Sequence, residues 1–181
     1  MGFVAVAADG QALPFGDGSF DAVICQLELQ FFPDPVQGVR EFRRVVRFGR
    51  RAAACVITTP DRTLMWGVLA DVLGRCFPDQ RDLLGLSFSL SDPERLRRMF
   101  GAAGFRDVQV ERTTRSGIVA SFEDYWTSIE AGSGMMPQAY RALSLEERRL
   151  VREEVQARMA NLLSRRGIEM TFEMLIGTGR A

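Results

Sequence analysis

The chain contains no histidine and no lysine: its 23 basic residues are all arginine, and 23 acidic residues balance them. Without histidine it lacks the side chain that titrates nearest neutrality, and with it the commonest metal ligand. Without lysine there is no Schiff-base or lysine-base chemistry. Any general base must be Asp, Glu, Tyr or Cys. Cysteine is scarce too: Cys25, Cys55 and Cys76 are odd in number and far apart, with no C-x-x-C pair, so neither a disulfide framework nor a zinc site is supported. No charged-then-apolar leader opens the chain, and no apolar run approaches the ~18 residues of a membrane span. A reduced, cytoplasmic setting is expected. A formal net charge of zero gives no long-range field towards nucleic acid or an anionic membrane surface, so neither is an expected partner.

What is present is enough for one domain with a substantial core: 181 residues, 46% of them hydrophobic. Residues 3–8 (FVAVAA), 22–25 (AVIC) and 52–58 (AAACVIT) are short, continuously apolar runs, as expected of strands buried on both faces. Between the second and third lies a helix with Asp34 as N-cap and Pro35 at its first position. Val36, Val39, Phe42 and Val46 fall on its inner face, and Arg40, Glu41, Arg43 and Arg44 are expected to face water. Strand, helix and strand make a βαβ unit and hence a parallel sheet. Beyond Pro60 a mostly helical segment is broken at Pro78. New helices are expected from Ser91-Asp92-Pro93-Glu94, ending at Gly104, from Ser121 with a capping-box spacing to Asp124, and from Ser144 to about Arg165. Residues 108–111 read as a strand and 132–137 as a loop. The chain closes on an alternating strand after Gly167.

The motif D-x-x-x-L-P-F followed by D-x-S-F-D places Asp9, Leu13, Pro14, Phe15, Asp17, Ser19, Phe20 and Asp21 before the second strand. After it come Phe32, Pro33, Asp34 and Pro35, and then Glu41, Arg44 and Val45 on the helix. With the downstream S-D-P-E-R-L-R-R-M-F-G-A-A-G-F-R-D-V, this pattern resembles the class I S-adenosylmethionine-dependent methyltransferases. It is most similar to the methyltransferase type 11 group, whose small-molecule enzymes serve ubiquinone and menaquinone biosynthesis. The resemblance implies an α/β, Rossmann-like sheet of strand order 3-2-1-4-5-7-6 with an antiparallel C-terminal strand. It implies one domain over 1–181, with residues 1–60 a partial cofactor-binding βαβ and residues 61–91 and 115–143 lid insertions facing the substrate. It implies S-adenosylmethionine as cofactor and a small-molecule methyl acceptor.

By the same resemblance, Asp9, Gly10 and Gln11 would face the adenine, with the Asp9 carboxylate accepting from the adenine amino group. Cys25, Gln26 and Leu27, leaving the strand, would contact the methionine portion. Methyl transfer needs no enzyme nucleophile, since the acceptor attacks the activated methyl in line and catalysis rests on proximity and orientation. If the acceptor must lose a proton, Glu28, Asp124 and Tyr125 are the candidate bases, Glu28 and Tyr125 first among them. Glu28 departs from the family, where a small or neutral residue is usual. Phe48-Gly49-Arg50 departs too, standing where Pro-Gly-Gly is usual. Trp66, Phe88, Trp126, Met135 and Met136 are expected in an acceptor pocket or in plain packing.

The resemblance also places the family's glycine-rich cofactor turn upstream of Met1. Residues 3–8 would then lack their usual sheet neighbours, leaving an open edge of a kind proteins seldom tolerate. Three outcomes are open: the run slides in beside AVIC, two chains pair at the edge as a homodimer, or the remaining four strands form the domain alone. The dimer is the preferred expectation. An alternative to the enzyme is a catalytically inactive methyltransferase-like module that acts by association. A different nucleotide-binding α/β protein would need a G-x-G-x-x-G turn, and the sequence has none.

Overall fold

The structure is a computed structural model that describes residues 4–132 and 134–181. Strand β1 (Phe20–Gln26) is followed by helix α1 (Pro35–Val45) and strand β2 (Val46–Ile57). Then come α2 (Leu64–Cys76), α3 (Arg81–Gly85), α4 (Pro93–Ala102), β3 (Arg106–Val119), α5 (Phe122–Ala131), α6 (Met135–Arg141), α7 (Leu145–Met159), β4 (Leu163–Ser164) and β5 (Gly167–Arg180). The five strands form one sheet of order β1-β2-β5-β3, with β4 paired to β5. β1 and β2 run parallel, as the βαβ reading requires. β5 runs against β2: the Gly49 N–H reaches the Ala181 carbonyl, and the Thr58 N–H the Glu173 carbonyl. This order is the 4-5-7-6 half of the arrangement implied by the resemblance, so the fold is the expected Rossmann-like α/β type.

The chain divides into two compact units. The first takes the described residues of Met1–Val56 with Leu90–Arg112 and Met174–Ala181. Its core joins Val39 and Phe42 of α1, Ala52, Ala54 and Val56 of β2, and Leu96, Met99 and Phe100 of α4, with Leu175 of β5. The second unit takes Ile57–Ser89 and Thr113–Glu173. Its core packs Leu69, Val72 and Leu73 of α2 with Tyr125, Trp126 and Ile129 of α5, and with Val151, Val155 and Met159 of α7. The Trp126 and Tyr140 rings meet edge to face at 5.1 Å.

Helix starts follow their caps. The Asp34 carboxylate accepts from the Gln37 N–H at 3.0 Å, Asp92 caps α4 through the Glu94 N–H, and Ser121 caps α5 through the Asp124 N–H. At α7, Ser144 and Glu147 close a full capping box.

Four local expectations need correction. Phe3 and Ser133 lie outside the described residues, but Val4–Ala8 form no strand; Val4 is 82% exposed, and the sheet begins at β1. An apolar run becomes a strand only where a neighbour takes up its N–H and C=O groups, and here none does. Second, β2 starts at Val46 rather than residue 52. Gly49 sits in it at φ +77°, and between Phe20↔Val46 and Ala22↔Arg51 the register slips, so the glycine serves a bulge inside the strand instead of a turn before it. Third, α7 stops at Met159, because Leu163 and Ser164 turn through Arg165 and Arg166 to pair with Ile168 and Gly167. Ladder hydrogen bonds there replace the last helical turn. Fourth, the helix Met135–Arg141 takes in residues 135–137, the second half of the expected 132–137 loop.

Candidate functional site

The loop of residues 9–18 carries the first group of predicted site residues. Asp9 is exposed, and one oxygen of its carboxylate accepts the Gln11 N–H at 2.8 Å, while the Asp9 carbonyl accepts the Ala12 N–H at 3.0 Å. The loop therefore turns on its own aspartate. The second carboxylate oxygen, Oδ2, accepts no hydrogen bond from a described residue. Gln11 ties the turn to the start of α1: its side-chain oxygen accepts the Asp34 N–H at 2.7 Å, and its carbonyl accepts from the Gln37 amide at 3.3 Å. Gly10 lies against the Phe32 ring so closely that a Cβ would stand 2.3 Å from Cζ, and the same ring presses on Gly38 of α1. Gly10 is thus a position of close approach, with an aromatic floor beneath the turn.

Farther along, Glu41 and Arg44 hold the loop. Glu41 accepts the Leu13 N–H at 2.8 Å, and Arg44 donates to the carbonyls of Phe15 at 2.6 Å and Leu13 at 2.9 Å and to the Asp17 carboxylate at 3.0 Å. The two side chains also bond each other at 2.7 and 2.8 Å. The Arg44 hydrogen bond holds the Glu41 carboxyl below the usual range, more than offsetting the opposing effect of its burial. The helix pattern alone would turn both residues to water. Instead Asp34, Gln37, Gly38, Glu41 and Arg44, spaced three or four apart, form one stripe of α1 that fastens the loop along its length. That spacing is the available signal: an Arg–Glu pair on a helix reads equally as solvated surface until a loop lies over it.

The second group leaves the C-terminal end of β1, where ligands of open α/β sheets bind. Cys25 is buried, and desolvation pushes its thiol up despite the backbone N–H groups of Glu28 and Leu29 turned towards the sulfur. Leu27 takes φ +61°, which only a few per cent of non-glycine residues do, and is pinned there: its N–H donates to the Cys55 carbonyl at 2.8 Å, and its carbonyl accepts from the Gln30 amide at 3.0 Å. A side chain held in this region stores ~1–3 kcal/mol, a cost that concentrates at functional sites. Gln26 and Glu28 are exposed beside it, and Glu28 stands at the start of the turn Leu29–Phe31. That turn leads to Phe32 and so to the floor beneath Gly10. The chain therefore connects the two predicted groups, Asp9 to Gln11 and Cys25 to Glu28, through one aromatic ring.

Tyr125 stands apart from both groups. It lies in the core of the second unit, 1% exposed, with its hydroxyl donating to the Met65 carbonyl at 3.1 Å. Burial raises its pKa far above the ordinary phenol value. A phenol that keeps its proton on a backbone carbonyl is no source of base, and the ring fills space between α2 and α5. Trp66 and Phe88 pack against this core, and Trp126 and Met136 belong to it. Among the described residues no group of His, Cys, Asp and Glu is arranged to hold a metal, and no helix is long and apolar enough to cross a membrane.

Residues 2–53, which include both predicted groups, match a family described as a methyltransferase domain. The chain is 34% identical over 126 residues to a demethylmenaquinone methyltransferase of Corynebacterium kroppenstedtii, covering 64% of this chain and 55% of that protein. It is 30% identical over 132 residues to the enzyme of the same name from Staphylococcus saprophyticus, covering 66% and 56%. The chain thus spans about half the length of these curated relatives. Among solved structures, a candidate methyltransferase of an antibiotic biosynthesis pathway in Anabaena variabilis superposes with a TM-score of 0.59 at 12% identity, over 94% of this chain and 71% of that one. A candidate methyltransferase of Bacillus halodurans gives 0.55 at 17% identity, over 96% and 69%. Motifs and relatives together make the chain similar to the class I S-adenosylmethionine-dependent methyltransferases, and the sheet order is that of their fold.

Proposed function

We propose that the chain contributes the adenine-facing and part of the methionine-facing wall of an S-adenosylmethionine site in an enzyme that methylates a small molecule. The observation that carries this reading is the turn at Asp9, anchored over its whole length by α1, with a carboxylate oxygen left open above an aromatic floor. An exposed acceptor oxygen suits the amino group of adenine, and the close approach of Gly10 to the Phe32 ring fixes the turn that presents it. The strained carbonyl-and-amide turn at Leu27 supports a second contact, along the methionine portion, made by backbone rather than side chains.

The cofactor supplies an activated methyl group, and this chain's residues bind and orient. Glu28, exposed next to the strained turn, is the residue we propose to take a proton where the acceptor must lose one. Segments 61–91 and 115–143 are proposed to serve the acceptor. That the similar proteins carry the name demethylmenaquinone methyltransferase supports a small-molecule acceptor, and the activity itself is proposed for the chain in its complete setting.

We also propose that two copies associate through the free edge of β1, where Ile24 is 76% exposed and Phe20 is exposed on the same strand. Calorimetric titration with S-adenosylhomocysteine tests the main reading. Saturable binding by the folded chain is expected; no heat at millimolar ligand would overturn it in favour of a non-catalytic module.

A further inference from the structure

The second unit carries an open cleft of about 480 Å³, lined mainly by the segment 61–91 that is proposed to serve the acceptor. One wall is a face of α2, with Leu64, Gly67, Val68, Asp71 and Gly74 at helical spacing, and the other comes from α3 and the turn after it, with Arg81, Leu84, Gly85 and Phe88. On the α2 wall Gly74 meets the Arg81 side chain at ordinary contact distance, while Gly67 packs tightly against the Pro60 backbone. The cleft's size lies within the range of small-molecule sites, and its walls are mainly apolar.

The charges on the lining are unequal in their commitments. Arg158 pairs with Asp71 and with Glu154. Asp61 lies 3.7 Å from Arg62, and a hydrogen bond from the Thr59 side chain holds it further ionised. Arg81 differs: its Nε donates to the Gly74 carbonyl at 3.2 Å, in the last turn of α2, and it has no carboxylate partner among the described residues. One nitrogen of the guanidinium thus fixes its place at the cavity wall, leaving the two terminal nitrogens to form a fork that suits a carboxylate or sulfonate.

We propose that this cavity binds a small organic anion with an apolar body, the body between α2 and α3 and the anionic group on Arg81. The site rests on the reading of segment 61–91 as serving the acceptor and gives that ligand a chemical class, while probe binding is read without S-adenosylmethionine and so can fail independently of the cofactor site.

The test uses two fluorescent probes on the full chain: 8-anilinonaphthalene-1-sulfonate, and N-phenyl-1-naphthylamine, which has the same rings without the sulfonate. The sulfonate is expected to bind saturably and about tenfold tighter than the neutral probe, the worth of one charge-assisted hydrogen bond. Arg81→Gln should remove that preference while leaving the neutral probe's affinity unchanged. Gly85→Phe should abolish binding of both, because Gly85 has helical φ and ψ and a Cβ there meets nothing within 4 Å, so the ring enters open space without disturbing the fold. An unchanged urea midpoint verifies that. An Arg81→Gln chain that still prefers the sulfonate, or a folded Gly85→Phe chain that still binds both probes, overturns the proposal.

Discussion

Glu41 and Arg44, one turn apart on α1, meet at 2.7 Å and between them bond the backbone of Leu13 and Phe15. The pair joins the helix to the loop that begins at Asp9, so the stability of the fold and the shape of the proposed adenine wall depend on the same few atoms.

Removing the guanidinium should therefore cost more than an ordinary surface ion pair. Arg44→Met keeps the stem but leaves the Leu13 and Phe15 carbonyls and the Glu41 carboxylate short of donors, and a loss of about 2–3 kcal/mol is expected. Arg44→Lys should recover little, because one ammonium cannot reach two carbonyls and two carboxylates together. Urea midpoints of the three proteins measure this.

Acid should expose the same pair. Arg44 depresses the Glu41 pKa in the folded chain, so folding is favoured by ionised Glu41 above its unfolded value, about 4.3. The stabilisation is lost as pH falls from there through the lower folded value. Glu41→Gln cannot titrate and should flatten the fall in stability between neutral pH and that region. Glu146, Glu147 and Glu154 are also lowered by their partners and are common to both proteins, so the difference between the two pH profiles reports Glu41.

Two glycines of similar helical setting should respond in opposite senses. A Cβ on Gly67 of α2 would stand 1.9 Å from the Pro60 carbonyl oxygen, whereas one on Gly101 of α4 meets nothing within 4 Å. Gly67→Ala should destabilise by more than about 1 kcal/mol through a forced backbone shift. Gly101→Ala should stabilise by roughly 0.5–1 kcal/mol through helix propensity. Thermal unfolding of both variants decides.

The free edge of β1 gives a prediction about assembly. Ile24→Arg places a charge at an exposed position of the edge strand and should shift sedimentation towards monomer across a concentration series. A wild-type chain that sediments as a monomer at every concentration would contradict the proposed pairing.

Much of the fold can be read from local chemistry, since caps are short-range. Asp34-Pro35, Ser121 and Ser144 each mark a helix start at the residue where it occurs, and the apolar run at residues 22–25 marks β1. What cannot be read depends on partners distant in the chain. Residues 4–8 carry a strand's composition yet find no neighbour, and of residues 160–165, expected to continue the helix, Leu163 and Ser164 are claimed by the ladder to β5. The site divides the same way. Asp9 and Leu27 are located by motif, but the role of Glu41 and Arg44 depends on a loop about 28 residues earlier lying over them, at the separation of the Leu13–Glu41 bond. Tyr125, placed by its lid-like context, proves to be core: it is 1% exposed within the second unit's hydrophobic cluster and bonds the Met65 carbonyl of α2.

The central claim is that Asp9 presents a carboxylate oxygen to an adenine amino group, and replacing that amino group tests it most directly. S-Adenosylhomocysteine and S-inosylhomocysteine differ there, the second carrying a carbonyl oxygen that a carboxylate repels. Calorimetric titration of the wild-type chain and of Asp9→Asn with both ligands should show the adenosyl form binding about tenfold or more tightly to wild type, with that preference lost in the variant. Equal affinity of wild type for the two ligands, or a preference that survives in Asp9→Asn, would contradict the account.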